Sequence, residues 1–146
     1  MYNKNTAFLY YSLFTIHYSF FIKKVFIMTD NPLLDKSLNF SARIVKLYQY
    51  LVKEKKETII SKQIIRSGTS IGANANEAAY GVSHADFISK MQIALKETAE
   101  TEYWIKLLIL SDYVEVPLGN SLLSDCIEIK KILISSLNTV KKNHHQ

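Results

Sequence analysis

Asn31 to Leu51 reads NPLLDKSLNFSARIVKLYQYL, and this stretch decides the fold. Asn31 is a preferred helix N-cap, and Pro32 follows at the first helical position, where its missing N–H costs nothing. Leu34, Leu38, Val45, Tyr48 and Val52 then recur at three- and four-residue steps and their multiples. Phe40, Ile44, Leu47 and Leu51 run beside them. Together they predict an amphipathic helix with a broad apolar face. Lys53 to Lys56 (KEKK) closes it in a polar turn whose cations suit a helix C-terminus.

Working outward, the pattern repeats three times. A second helix is expected from about Thr58 to Tyr80, with Ile60, Ile64, Ile71, Ala75 and Ala78 inward. Its middle is unusual, because Ser67, Gly68, Ser70, Gly72 and Ala73 are all small. Gly68 and Gly72 lie four apart, hence on one face, and each glycine costs about 1 kcal/mol relative to alanine in a helix interior. Such a cost implies a close backbone approach that a Cβ would block. Gly81 ends this helix, and Ser83 with Asp86 resembles a capping box opening a third that runs to about Leu110. Phe87, Met91, Ala94, Leu95, Thr98, Ile105 and Leu108 keep the helical period there. Asp112 to Asn120, with Pro117 and Gly119, reads as a loop. A fourth helix follows from about Ser121 to Val140, with Leu122, Cys126, Ile129, Leu133 and Leu137 inward, and Lys141 to Gln146 reads as a disordered tail. Four long helices with short connections predict an all-α, antiparallel up-and-down four-helix bundle over residues 28–140.

Composition agrees. The 146 residues suit one domain with one core, and 48% hydrophobic against 21% charged content places the chain among globular proteins. Four Gly and two Pro leave too few turns for an all-β fold. The single cysteine, Cys126, excludes a disulfide framework and a Cys-rich zinc site, and points to a reducing, cytoplasmic setting.

Ahead of the bundle, Ala7 to Ile22 (AFLYYSLFTIHYSFFI) is aromatic-rich and followed by Lys23 and Lys24. It falls short of the ~20 apolar residues a spanning helix needs. It also lacks the charge order and small-residue cleavage site of a signal peptide. Residues 1–27 therefore read as an extension outside the domain: a start site assigned upstream of Met28 first, a weak anchor second.

The formal charge is +5, and its placement is uneven. Residues 35–66 carry eight basic and three acidic side chains, residues 77–128 three basic and nine acidic, and residues from Lys130 onward four basic and no acid. Such segregation either aims a basic face at phosphate or holds neighbouring helices or subunits together. The basic candidates for nucleic-acid binding are Lys36, Arg43, Lys46, Lys53, Lys55, Lys56, Lys62, Lys130 and Lys131, with Lys141 and Lys142 in the tail. An up-and-down bundle can bring the first and fourth helices together, merging these groups into one face.

Catalytic and metal readings fare poorly. Gly68 to Gly72 (GTSIG) lacks the Gly-Lys-Ser/Thr ending of a phosphate loop. Glu77, Glu97 and Glu100 invite comparison with a di-iron centre, but no Glu here has His three residues on, as such centres need. These acids pair better with Arg66, Asn74 or Asn76 in an interhelical polar network. Ser67, Thr69 and Ser70 have no evident His base, and His84 opens the next helix. Cys126 sits on an apolar stripe as a small hydrophobe. Tyr103-Trp104 suits either a base-stacking platform or, as is commoner at helical spacing, a core or subunit contact.

One family resemblance is specific. Arg66 to Asn74 (RSGTSIGAN), Glu77-Ala78, Ser83 with Asp86-Phe87, Lys90, and Ile93 to Leu108 (IALKETAETEYWIKLL) resemble the four-helix-bundle proteins found in intervening sequences of 23S ribosomal RNA genes. Asn31 to Leu51 resembles that family's opening helix, and the likeness runs from about Met28 to Val140. It marks Arg66, Gly68, Gly72, Asn74, Glu77, Glu97, Glu100, Tyr103 and Trp104 as family-motif and helix-packing positions. The resemblance implies a non-enzymatic bundle without cofactor or small-molecule substrate, assembling with itself into a ring-like homopentamer. It also implies kinship with accessory proteins of diversity-generating retroelements, basic pentamers that bind a reverse transcriptase and nucleic acid. The expectation is an oligomeric scaffold that engages RNA, DNA or a nucleic-acid enzyme through a basic face. The alternative is an interaction protein whose only partner is itself.

Overall fold

In the computed structural model, which describes residues 30–143, the chain from Asn31 onward folds as one compact unit of four α-helices. They are α1 (Pro32–Lys53), α2 (Ile60–Ala79), α3 (His84–Leu110) and α4 (Val116–Asn143). Packing is closest for α1–α2, α2–α3 and α3–α4, with a looser α1–α4 seam closing the square. This is the expected antiparallel up-and-down bundle. The expectations for residues 1–27 fall outside the described residues.

Helix α1 starts as its sequence dictates. The Asn31 side chain accepts from the Leu33 amide at 3.0 Å, with Pro32 in the first turn. Its buried face, however, is Leu33, Ser37, Phe40, Ile44, Leu47 and Leu51. Of the row named first in the sequence, Leu38 is 50% and Val45 37% exposed. Two apolar rows compete on this helix, and the one containing Phe40 and Ile44 wins the core. Ser37 can join it because its hydroxyl donates to the Leu34 carbonyl at 3.0 Å, which removes the cost of burying it.

The turn into α2 is built around Glu57. Its buried carboxylate accepts from the backbone N–H groups of Ile59, Ile60 and Ser61 at 2.7–2.8 Å, three donors that a helix start leaves open. Burial alone would raise the Glu57 pKa, but these donations outweigh it and hold the carboxyl below its ordinary value. Lys56, at φ 54°, turns the chain, and its ammonium donates to the Lys53 carbonyl at 2.7 Å. At the other end of α2 the expected cap is present: the Asp86 amide donates to Ser83 Oγ at 3.1 Å.

The glycine pair marks the α1–α2 crossing. A Cβ on Gly68 would lie 2.9 Å from two carbons of Ile44, and one on Gly72 3.2 Å from the Ser41 hydroxyl and 3.4 Å from the Ser37 carbonyl oxygen. At Gly68 the close approach is therefore a side chain lying on a backbone, and only at Gly72 does it approach backbone against backbone. Ser41 also donates to the Gly68 carbonyl across this seam.

Two boundaries differ from the sequence reading. Helix α4 begins at Val116, five residues before Ser121, so Pro117 and Gly119 lie inside its first turn and not in a loop. Proline is at home there, and Gly119 is needed because a Cβ would lie 2.4 Å from Ile109. At its far end α4 continues through Lys141 and Lys142 to Asn143, beyond the expected stop at Val140. His144 to Gln146 lie outside the described residues.

Candidate functional site

The chain's charge segregation is spent largely on the seams between helices. Lys36 of α1 pairs with Glu128 of α4 at 2.9 Å. Arg43 pairs with Asp125 of α4 and donates to the Ser121 hydroxyl at 2.9 Å. Between α2 and α3, Arg66 is shared by Glu97, at 3.3 Å, and Glu100. Lys90 of α3 reaches back to Glu77 of α2. Between α3 and α4, Glu102 accepts from Lys130 and from Lys106 of its own helix, both at 2.6 Å.

These pairs set protonation as expected of opposite charges in contact. The hydrogen bond from Arg66, then that from the Trp104 indole at 3.0 Å, holds the Glu100 carboxyl below its ordinary value. Hydrogen bonds from Lys106 and Lys130 do the same for Glu102. Hydrogen bonding to Glu100 raises the Arg66 pKa in turn. The network expected for the motif acids thus forms with Arg66, but on the flank of the bundle rather than inside it. Asn74 instead donates to the Ser70 carbonyl of its own helix at 2.9 Å, and the partner of Glu77 is Lys90, which the sequence reading placed in the family motif but did not pair with an acid.

Three of the nine basic candidates, Lys36, Arg43 and Lys130, are accordingly bound to acids of another helix. Among the described residues Lys46, Lys53, Lys55, Lys56, Lys62 and Lys131 join no ion pair. Lys55 lies over the Tyr50 ring, 5.8 Å from its centroid. Because Arg43 meets Asp125 and Lys36 meets Glu128, α4 runs antiparallel to α1. Lys131 therefore lies toward the start of α1, while Lys53, Lys55 and Lys56 sit beyond its end. The two basic groups occupy opposite ends of the bundle, and the α1–α4 seam between them is neutralised.

Within the described residues the buried reactive side chains serve packing and hydrogen bonding. Cys126 is buried and bonds to the Thr98 carbonyl at 3.4 Å, and burial pushes its thiol up to about 12, which removes the thiolate that nucleophilic chemistry needs. Ser67 accepts from Thr101 at 2.9 Å, a contact that fixes the α2–α3 register. Among the described residues no group of three His, Cys, Asp or Glu side chains could hold a metal ion. Small depressions at the end where α1 begins are lined mainly by Leu33, Ala75, Ala79, Phe87 and Met91, without a carboxylate. No helix of the described residues is long and apolar enough to cross a membrane.

The sides of the bundle also present rows of apolar side chains. Leu38 and Val45 of α1 stand seven apart in one row with the half-buried Leu34 and Val52, beside Ser41, which faces α2. Ile127 and Ile134 of α4, 39% and 40% exposed, also stand seven apart, in a row with Lys130, which faces α3. Tyr103 is exposed, its ring 5.0 Å from that of the half-buried Trp104 at 72°.

Fold and surface define a small helical bundle whose charges lock its own helices and whose exposed apolar side chains lie in rows along its flanks. The chain belongs to the 23S rRNA-intervening sequence protein family, which matches residues 29–135. It is also similar to a solved protein of unknown function from the S23 ribosomal protein family of Bacteroides thetaiotaomicron. The two are 55% identical, with a TM-score of 0.71, over 72% of this chain and 97% of that one. No curated protein matches it.

Proposed function

We propose that this protein is a non-catalytic scaffold of the cytoplasm that acts as an assembly of its own copies. The exposed row of Leu38 and Val45 on α1 carries this reading. Apolar side chains repeating at helical spacing along an outer face are the mark of a surface that another element covers. Membership of the family supports the same view, and the homopentamer that the resemblance implies is the assembly proposed. Size-exclusion chromatography with light scattering tests it: the chain elutes at a multiple of its 16.8 kDa, near fivefold, and a monomer at micromolar concentration refutes the scaffold.

A second reading adds RNA, DNA or a nucleic-acid enzyme such as a reverse transcriptase as partner. The observation favouring it is the surplus of lysines at the α1–α2 turn that no ion pair consumes. No base-reading motif accompanies them, so binding would rest on phosphate contacts, indifferent to sequence and steeply weakened by salt. Replacing Lys53, Lys55 and Lys56 by Glu then lowers affinity alike for unrelated RNA and DNA fragments, with an unchanged thermal melt. A wild-type chain that binds neither at low salt leaves self-assembly alone.

A further inference from the structure

We infer that the end of the bundle carrying the α1–α2 turn and the α3–α4 loop binds the same end of a second copy about a two-fold axis. The contact uses none of the flank residues on which the scaffold reading rests, so it joins one assembly to another. Because the helices run up and down, α1 and α3 finish at this end and α2 and α4 start there. Its terminal turns expose large aliphatic side chains: Ile59 just ahead of α2, Leu110 at the last position of α3, and Val116 and Leu118 in the first turn of α4. At 76% and 83% exposure, Ile59 and Leu110 are more open than any residue of the flank rows. Exposed apolar groups on one small face, rimmed by charge, mark a surface that a partner covers.

Charge identifies the occupant. The turn holds Lys53, Lys55 and Lys56 with Glu54, a surplus of two positive charges, and the loop holds Asp112 and Glu115, two negative ones. None of these six joins an ion pair among the described residues, and the nearby Glu57 is already taken by the first amides of α2. With the helices packed in the order α1, α2, α3, α4, turn and loop occupy opposite sides of the end. A two-fold axis lying in the end face, between those sides, lays the turn of each copy over the loop of the other. Both charge sets are then met at once. An anionic lipid surface would attract the turn and repel the loop, whereas a second copy matches both. Exposed ion pairs add little affinity, so the aliphatic contact supplies the attraction and the charges set the orientation.

A contact of this symmetry is closed, because the patch that binds is the patch that is bound. It pairs two assemblies and cannot grow into a filament. Copies in a ring all point the same way, so their ends share one face, and several weak contacts act together when two rings meet. The signature is a single doubling of mass.

Sedimentation velocity of the full chain over rising concentration tests it. The wild type is expected to pass from the flank assembly to twice that mass and to stop there. Leu110→Glu, at an exposed position whose intact fold a thermal melt confirms, is expected to keep the flank assembly and lose the doubling; Ile59→Gln serves as the second variant. Lys55→Glu or Glu115→Lys alone is expected to weaken the doubling several-fold. Both in one chain are expected to restore it, while that double variant mixed with wild type forms no mixed pairs. A wild type that never doubles, or doubles equally after Leu110→Glu, overturns end pairing and leaves the scaffold standing. Mass that climbs past the doubling overturns the two-fold axis, and single charge variants without rescue overturn the placing of turn over loop. Binding to vesicles of anionic phospholipid without any doubling gives the end to a lipid surface and overturns the second copy. A wild type that is monomeric at micromolar concentration overturns the scaffold alone, provided it still dimerises at higher concentration and Leu110→Glu does not.

Discussion

The α1–α2 and α3–α4 halves of this bundle are both antiparallel helix pairs, yet they are joined by different physics. In the first, small residues remove bulk: Gly68 lies under Ile44, Gly72 under Ser41, and no ion pair crosses the seam among the described residues. In the second, Glu102 grips Lys130 across the seam, Cys126 bonds to the Thr98 carbonyl, and glycine is needed only at the end, where Gly119 passes Ile109. A close seam depends on what is missing from it, so any addition is costly. The other also relies on charged pairs at its edge, which solvent can partly replace.

The sharpest way to break that comparison is to add a methyl group to each. Gly68→Ala must displace Ile44, which is fully buried and has nowhere to go. We expect a loss of about 1–3 kcal/mol, the usual cost of overpacking. Gly119→Ala meets Ile109 at a shorter distance, 2.4 Å, but Ile109 is half-buried and its outer carbons can swing away. Its cost is expected to be the smaller of the two despite the closer contact. Gly72→Ala meets the Ser41 hydroxyl at 3.2 Å and the Ser37 carbonyl oxygen at an ordinary 3.4 Å, and the ~1 kcal/mol gained in helix propensity offsets this. Urea melts that rank Gly119→Ala or Gly72→Ala above Gly68→Ala contradict this account of the seam.

The turn that joins α1 to α2 gives the next effect. Glu57→Gln keeps one acceptor oxygen but loses the charge that three amides share. We expect a cost of about 1–2 kcal/mol at neutral pH, in the range for hydrogen bonds to a charged group. Since the folded-state pKa lies below the ordinary 4.5, the stabilisation is complete above that value and is lost as pH falls through the folded-state pKa. The wild-type advantage over Glu57→Gln should therefore shrink in acid. An advantage that stays constant from pH 7 to pH 3 assigns it to packing instead of charge.

The smallest effect belongs to the α3–α4 seam. Glu102→Gln releases Lys106 and Lys130 together, yet both lysines reach solvent, so the loss should be no more than ~1 kcal/mol. Added salt should reduce it further. A larger, salt-insensitive loss would mean that charge is as essential here as the glycines are on the other side.

Much of this molecule was legible along the chain because its signals are local. The Asn31-Pro32 start, the Ser83–Asp86 cap and the inward rows of α2, α3 and α4 follow from hydrogen-bonding chemistry and the helical period, which need no neighbours. The glycine pair announced a close crossing, since nothing else repays two mid-helix glycines. Glu57 was missed, although an acid just ahead of a helix start is a recognisable signal. The beginning of α4 was misplaced because Pro117 and Gly119 read as turn residues, although proline is favoured in a first helical turn.

What the sequence determined by itself, then, is the set of helices and the presence of a tight contact in the second of them. Which of two apolar rows on α1 became core, and which was left facing outward, only tertiary structure decided. Both rows satisfy the same period, and the choice was made by the partner surface each could meet. Charge followed the same rule: the basic surplus of residues 35–66, together with the lysines of the fourth helix and tail, suggested one basic face. Once the helices packed, Lys36 and Arg43 were spent on α4 and Arg66 on α3, because opposite charges pair according to distance in space rather than order along the chain.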